Sequence, residues 1–262
     1  MSLDTIAPAL LSDKKFILAT DLDGTFLGGT PEARQDLYRW ITLNRDSVGL
    51  IFVTGRDPHF IEELCTTSIV PWPEYVVGDV GTTIAAVSQE TGLRPITELE
   101  APIAEVWQDA GQKVVAKLAD WPGLTAQREP FRYRMSYDMD PATFDKGACD
   151  LVNEMGLDWL ISADRFFDVL PKGVSKGPSL KRLLSHLGVP EHRVLVAGDT
   201  LNDLSMLNSG LPAVAVGGSE PDLLTQVKDL KSVHCATAIG AAGITEAIQS
   251  LEMHPKGALL NA

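Results

Sequence analysis

The segment FILATDLDGT, residues 16–25, places an uncharged run directly before two carboxylates, Asp21 and Asp23. An apolar run of this length is typical of a strand that is buried on both faces of a parallel sheet. Residues two positions apart in an extended chain point to the same side, so both carboxylates face one place at the end of the strand. Ligands of α/β proteins bind beyond such strand ends, and the segment is therefore a candidate site as well as a candidate strand.

Similar apolar runs recur along the chain and predict further buried strands. With the first run included, they lie at 16–19, 50–53, 75–77, 194–197 and 213–216. The intervening stretches have apolar residues at helical spacing and predict helices at 31–43, 58–65, 176–187 and 203–208. This alternation predicts an α/β fold whose core is a doubly wound, Rossmann-like parallel sheet.

The middle of the chain has a different pattern. It predicts an amphipathic helix at 103–118, a strand at 132–137, a helix at 141–155 and a strand at 159–163. This α+β pattern interrupts the βαβ alternation, which resumes only after residue 168. We therefore expect a cap domain at 86–167 inserted into a core domain formed by 1–85 and 168–262.

Charge and composition exclude several classes of protein. The 262 residues include 22 basic and 35 acidic residues, a net charge of −13, and contain no extended basic patch. We therefore expect neither a nucleic acid nor a membrane surface as partner. The 3 cysteines are far apart and show no CxxC spacing, the first residues do not resemble a signal peptide, and no apolar run reaches about 18 residues. These features predict a cytoplasmic protein.

The pair of carboxylates at Asp21 and Asp23 indicates a cation site. Two neighbouring carboxylates repel each other unless a proton or a cation lies between them. Mg²⁺ fits this position, because it is a hard ion that binds carboxylates together with water and substrate phosphate. The alternative interpretation is an aspartate-rich turn after a strand.

Three further strand ends or helix starts carry polar residues. Thr54 and Gly55 end the run at 50–53 and either donate hydrogen bonds to an anion or begin a helix. Lys176 opens the helix at 176–187 and offers a positive charge to a phosphoryl group, whereas Lys172 lies in the preceding turn. The run at 194–197 is followed by Asp199, Asn202 and Asp203, which are candidates to bind a metal or to orient its ligands.

These four motifs, in this order, resemble the signature motifs of the haloacid dehalogenase-like phosphatase superfamily. Within it, the chain is similar to the group of sucrose-phosphate and related glycoside-phosphate phosphatases. That similarity rests on the spacing of aspartate, threonine and glycine at 21–28, on the RMSY segment at 134–137, and on the DVLP segment at 168–171.

The resemblance implies a role for each motif residue. Asp21 would be the nucleophile that forms an aspartyl-phosphate, and Asp23 the general acid and then the general base. Mg²⁺ would be held by Asp21, Asp199 and the backbone carbonyl of Asp23. The phosphate would be bound by Thr54, Gly55, Lys176 and Asn202, while Asp203 would support the metal ligands.

Residues of the cap are expected to select the substrate. Arg134, Ser136 and Tyr137 are candidates for contacts with a sugar, and the alternative is that they are merely alternating positions of a strand in the cap sheet. The tryptophans Trp107, Trp121 and Trp159 could stack on a sugar ring, although aromatic residues are more often part of a core.

The function implied is a Mg²⁺-dependent phosphomonoesterase. Its partner would be a small phosphorylated sugar or glycoside, similar to sucrose 6-phosphate, mannosylfructose phosphate or glucosylglycerol phosphate. A phosphosugar mutase, which returns the phosphoryl group to its substrate, and a non-catalytic binding module that keeps the fold are the alternatives. We expect a monomer or a small homo-oligomer.

Overall fold

The computed structural model describes residues 10–68 and 70–255. In this part of the chain the strands are β1 (Phe16–Thr20), β2 (Val48–Val53), β3 (Tyr75–Gly78), β4 (Thr83–Ser88), β5 (Gly92–Pro95), β6 (Leu124–Ala126), β7 (Met135–Met139), β8 (Asp158–Ser162), β9 (Phe166–Leu170), β10 (Val194–Gly198), β11 (Ala213–Gly217) and β12 (Val233–Ile239). The helices are α1 (Pro31–Leu43), α2 (Pro58–Thr67), α3 (Thr97–Trp107), α4 (Ala110–Lys117), α5 (Gly147–Glu154), α6 (Lys176–His186), α7 (Leu204–Leu207), α8 (Pro221–Val227) and α9 (Ala241–Ser250).

The core sheet has eight strands in the order β12-β11-β10-β1-β2-β3-β4-β5. Neighbouring strands from β12 to β3 are parallel, and β4 and β5 add antiparallel strands at one edge. In the centre, Thr20 of β1 is level with Phe52 of β2 and with Ala197 of β10. The carboxyl ends of these three strands therefore lie side by side at one edge of the sheet.

Helices cover both faces of this sheet. The apolar sides of α1, α2 and α9 pack on one face, and those of α6, α7 and α8 pack on the other. Every residue of β1 is buried, as expected for a strand between two layers of helices. The predicted doubly wound α/β core is confirmed.

The starts of two core helices follow from local sequence. Thr30 precedes Pro31, and its hydroxyl accepts a hydrogen bond from the N–H of Ala33. Asp57 precedes Pro58 at the start of α2 and accepts from the backbone N–H groups of the first turn. In both helices a polar cap satisfies N–H groups that have no partner inside the helix, and proline fits the first helical position.

The second sheet belongs to the cap, with the antiparallel order β6-β7-β9-β8. One face of it packs on α4 and α5 and on the end of α3, with Tyr137 and Phe167 in the centre of the contact. The other face is turned toward the carboxyl ends of the core strands. Among the described residues, no helix is both long and apolar enough to cross a membrane.

The chain crosses between core and cap at positions that differ from the expected boundaries, which were 1–85 and 168–262 for the core and 86–167 for the cap. β5 ends at Pro95 and pairs with β4 in the core sheet, while β9 continues to Leu170 in the cap sheet. Sequence patterns did not indicate β5, because a short edge strand with polar residues lacks a continuous apolar run. The amphipathic stretch 103–118 also divides into α3 and α4, with Gln108 at φ 47° between them.

Candidate active site

Lys176 lies beneath the floor of a cleft between core and cap, behind Asp21 and Asn202, which line the cleft. It opens α6, its side chain is fully buried, and its Nζ donates to Asp21 Oδ1 at 2.7 Å and to Asp203 Oδ1 at 2.6 Å. The same Nζ donates to Asn202 Oδ1 at 2.6 Å. Residues from three separate segments of the sequence are thus brought together on one ammonium group.

The charged groups around Lys176 shift one another's pKa values. Burial by itself lowers the pKa of Lys176, but the Asp203 and Asp21 carboxylates outweigh burial and raise it above the usual value. Burial raises the pKa of Asp21 well above its usual value, although Lys176 partly opposes that shift. The site therefore combines a permanent cation, Lys176, with a neighbouring carboxyl group, Asp21, whose pKa is raised.

Asp199 lies directly after β10 and is held by two neighbours. The hydroxyl of Thr25 donates to Asp199 Oδ1 at 2.6 Å, and the backbone N–H of Asp199 donates to Asp203 Oδ2 at 2.9 Å. Burial and the nearby Asp203 raise the pKa of Asp199 to about 7. Both carboxylate oxygens of Asp203 have partners, since Oδ1 accepts from Lys176 and Oδ2 from the backbone N–H groups of Asp199 and Thr200.

The donor set fits a divalent cation. Carboxylate oxygens of Asp21, Asp199 and Asp203 lie within 4.8 Å of one another. Gly24 makes room for this arrangement, since a Cβ added at that glycine would lie 2.1 Å from Asp199 Oδ2. Hard oxygen ligands of this kind suit Mg²⁺.

Asp23 makes an ion pair that sequence analysis did not identify. Arg56 Nε and Nη2 donate to its two carboxylate oxygens at 2.8 and 2.9 Å, and both side chains are about half exposed. Arg56 lies one residue after Gly55. Its position just after the end of a strand was the only feature of the sequence that could have indicated a place in the site.

Thr54 and Gly55 occupy different environments. Thr54 is fully buried, and its hydroxyl accepts a hydrogen bond from the N–H of Arg56 at 3.1 Å. Gly55 lines the cleft, and its carbonyl accepts from Arg134 Nη2 at 2.9 Å. The Thr54 hydroxyl thus supports the turn after β2.

The side chains of the three cap candidates lie in different environments. Arg134 lines the cleft, whereas Ser136 is buried and donates to Asp168. Tyr137 points to the opposite side, is 3% exposed, and has a pKa that burial raises to about 12. Of the three, the structure brings only Arg134 to the cleft. Trp107 is buried in the core of the cap, and Trp159 is partly exposed.

Arg134 connects two buried carboxylates that belong to different domains. It lies 3.4 Å from Asp168 in the cap and 3.4 Å from Asp79 in the core. Burial raises the pKa of both acids, and Arg134 partly opposes each shift. Asp79 belongs to no motif that the sequence indicates. It follows β3 with φ 51° and lies in a strained turn at the edge of the site.

The cleft between the two domains has a volume of about 780 Å³. Asp21 and Asp23 form part of its core side together with Asn202. Its cap side is polar and partly aromatic, with Gln127, Arg128, Phe131, Asp138, Arg165 and Phe166. The cleft thus combines a charged floor with a wall that can donate and accept hydrogen bonds.

Comparison with known proteins agrees with this architecture. The structure of the sucrose-phosphatase from Synechocystis sp. PCC6803, in complex with sucrose and phosphate, superposes with a TM-score of 0.80 at 25% identity, covering 91% of this chain and 98% of that one. The chain has the fold of the phosphatases of the haloacid dehalogenase-like superfamily. Residues 14–252 match the model of Sucrose-6F-phosphate phosphohydrolase, and the chain belongs to that family.

This chain covers very different shares of the length of two relatives. The mannosylfructose-phosphate phosphatase of Agrobacterium fabrum is 28% identical over 253 residues, covering 92% of this chain and 98% of the relative. The glucosylglycerol-phosphate synthase of Pseudomonas anguilliseptica is 39% identical over 232 residues, or 88% of this chain. The chain spans 30% of the length of that synthase.

Proposed function

We propose that the chain is a Mg²⁺-dependent phosphomonoesterase that hydrolyses a glycoside phosphate through an aspartyl-phosphate. The observation that carries this proposal is the contact of Lys176 Nζ with Asp21 Oδ1 at 2.7 Å, at the floor of a cleft that the cap covers. A buried cation beside a carboxylate at a strand end is suited to bind a phosphoryl group next to its nucleophile.

Asp21 forms the new bond to phosphorus while the bond from phosphorus to the sugar oxygen breaks. Asp23 donates a proton to the departing sugar oxygen, which requires that its carboxyl group takes up a proton in place of the ion pair with Arg56. Asp23 then accepts a proton from the water molecule that attacks the aspartyl-phosphate, and inorganic phosphate leaves. Lys176, Asn202 and the Gly55 N–H stabilise the negative charge of the phosphoryl group. Asp21, Asp199 and the backbone carbonyl of Asp23 would hold Mg²⁺, which would supply further positive charge next to the phosphoryl group.

The cap side of the cleft supports a polyhydroxylated leaving group. Gln127, Asp138 and Arg165 offer both donors and acceptors, and Phe131 and Phe166 add aromatic faces. Sugars are bound by this combination of polar groups and aromatic rings. Arg134 contributes to the same wall, and its guanidinium lies over the Phe131 ring at 4.0 Å.

Phosphate release from a panel of substrates tests the proposal. The panel contains sucrose 6-phosphate, mannosylfructose phosphate, glucosylglycerol phosphate, simple hexose phosphates and nucleotides, each with and without Mg²⁺. We expect metal-dependent release with a preference for one glycoside phosphate. Equal release without metal would contradict the mechanism, and an isomerised sugar phosphate in place of free phosphate would indicate a mutase.

The nucleophile is tested separately. We expect Asp21→Asn to abolish phosphate release while the far-ultraviolet circular dichroism stays that of the wild type. Asp36→Asn is the matched control, because Asp36 is an exposed residue of α1, and we expect it to keep the full rate. Turnover by Asp21→Asn would show that another residue attacks phosphorus.

A further inference from the structure

Glu220 contacts both the loop after β10 and the turn between β8 and β9, through its side chain and its backbone N–H. It lies directly before α8, and its own N–H donates to the carbonyl of Asp199 at 2.9 Å. Its Oε2 accepts from the N–H of Leu201 at 2.7 Å, and its Oε1 accepts from the N–H of Ala163 at 3.1 Å. The first two contacts hold the loop that carries Asp199 and Asn202, while the third reaches into the cap.

The contact in the cap is made at the turn between β8 and β9. Ala163 and Asp164 form this turn with φ values of 53° and 47°, a conformation that residues other than glycine adopt at a cost. Ser162 and Ala163 line the cleft from the cap side, and Thr200 and Asn202 line it from the core side. Glu220, which does not itself line the cleft, therefore connects the cap side of the cleft to its core side.

We propose that Glu220 is a positioning residue that couples the cap turn at 162–165 to the metal-binding loop at 199–202. When the turn lies against the core, Ala163 and Leu201 share one carboxylate, and the loop is fixed in the position that presents Asp199 and Asn202 to the cleft. When the turn moves away, Glu220 loses one of its two side-chain partners and the loop is held less firmly. This inference rests on the proposed function, because it concerns the same metal site.

Amide hydrogen exchange tests the coupling without any need for turnover. In the wild type we expect Mg²⁺ to slow exchange both in the loop at 199–202 and in the turn at 162–165. In Glu220→Ala we expect the response of the turn to disappear and the dissociation constant for Mg²⁺, measured by calorimetry, to rise about tenfold. Glu220→Gln keeps one acceptor oxygen, and we expect a dissociation constant between those of the wild type and Glu220→Ala.

The matched control is Asp222→Ala, which removes an exposed carboxylate from the first turn of the same helix. We expect it to leave both measurements unchanged, and an equal loss in this variant would show that only general charge matters. Binding of Mg²⁺ without a response of the turn in the wild type would overturn the coupling alone. No binding of Mg²⁺ by the wild type would overturn the metal-dependent function as well, so the two failures are distinguishable.

Discussion

Lys176 is a buried cation that contacts two carboxylates, Asp21 and Asp203. We expect Lys176→Met to lower the free energy of unfolding by about 3–5 kcal/mol near neutral pH, because it leaves buried negative charges without a partner. The loss becomes smaller in acid, where the carboxylates take up protons. Urea denaturation at two pH values, without Mg²⁺, measures both effects.

Lys172 provides the matched control for this substitution. It forms an ion pair with Asp158, but its side chain is 65% exposed. We expect Lys172→Met to change the free energy of unfolding by less than about 1 kcal/mol, since water replaces the lost partner. Equal losses in the two variants would contradict the electrostatic role assigned to Lys176.

The raised pKa values of Asp199 and Asp21 link metal binding to pH. The metal requires ionised carboxylates, and the pKa of Asp199 is raised to about 7. Mg²⁺ must therefore displace protons below pH 7, and we expect its affinity to rise with pH and to level off at about pH 8. Calorimetry in buffers of different ionisation enthalpy should detect proton release at about pH 6 and little at about pH 8.5.

The same shifts determine the stability of the metal-free protein. Since the native state binds these protons more tightly than the unfolded chain does, the contribution of Asp199 to stability falls as pH rises from about 4 to about 7, and that of Asp21 also falls with rising pH. We expect Mg²⁺ to recover this loss above pH 7. Stability that changes with pH in the same way in Asp199→Asn would contradict the assignment to Asp199.

At the scale of single elements, the turn after β1 depends on Gly24. Its φ is 79°, and an added Cβ would lie 2.1 Å from Asp199 Oδ2. We expect Gly24→Ala to cost about 1–2 kcal/mol of stability through the backbone and, in addition, to weaken Mg²⁺ binding by displacing Asp199. Thermal unfolding and calorimetry measure the two effects separately.

Gly156→Ala is the control that measures the backbone contribution to the loss of stability alone. It has a φ of 74°, and an added Cβ would meet nothing within 4 Å. We expect Gly156→Ala to show a similar loss of stability with unchanged Mg²⁺ binding. Weakened binding in both variants would mean that the contact with Asp199 is not the cause.

The elements that sequence patterns predict are those with one dominant physical signal. The runs at 16–19 and 194–197 are uniformly apolar because β1 and β10 are buried on both faces. β12 has alternating exposed residues at the edge of the sheet, so its pattern resembles that of a surface loop. Periodicity over 103–118 also gave no sign of the break at Gln108, because a break changes the backbone without changing the apolar face.

The same distinction applies to the site. Asp21, Lys176, Asn202 and Asp203 could be predicted because each lies at a strand end or a helix start, and topology brings such positions together. Tyr137 could not be assigned to the cleft or to the cap core, since a shift of one residue along a strand reverses the direction of the side chain. The role of Glu220 could not be predicted from the sequence, because its partners Ala163 and Leu201 are distant in sequence and contribute only backbone groups.

At the scale of the whole molecule, Arg134 connects the cap to the core through buried polar contacts. It donates to the Gly55 carbonyl and lies between Asp79 and Asp168. We expect Arg134→Met to lower phosphate release and to separate one urea transition into two, because the domains lose their shared buried cation. Far-ultraviolet circular dichroism and tryptophan fluorescence followed together reveal such a separation.

Arg128→Met is the control for this variant. Arg128 is an exposed residue on the cap side of the same cleft. We expect it to keep a single transition, even if its removal affects substrate binding. A single transition in Arg134→Met would mean that other contacts, such as Arg132 with Glu100, suffice to join the domains.

The position of β1 in the middle of the core sheet has a consequence for synthesis on the ribosome. β1 leaves the exit tunnel early, but its neighbour β10 follows only after the whole cap has been translated. The cap sheet, by contrast, is made from one continuous stretch between β6 and β9 and can form while the nascent chain is still attached. One edge of this fully buried strand thus remains unpaired during most of translation, and we expect the nascent chain to be a client of chaperones that bind such edges.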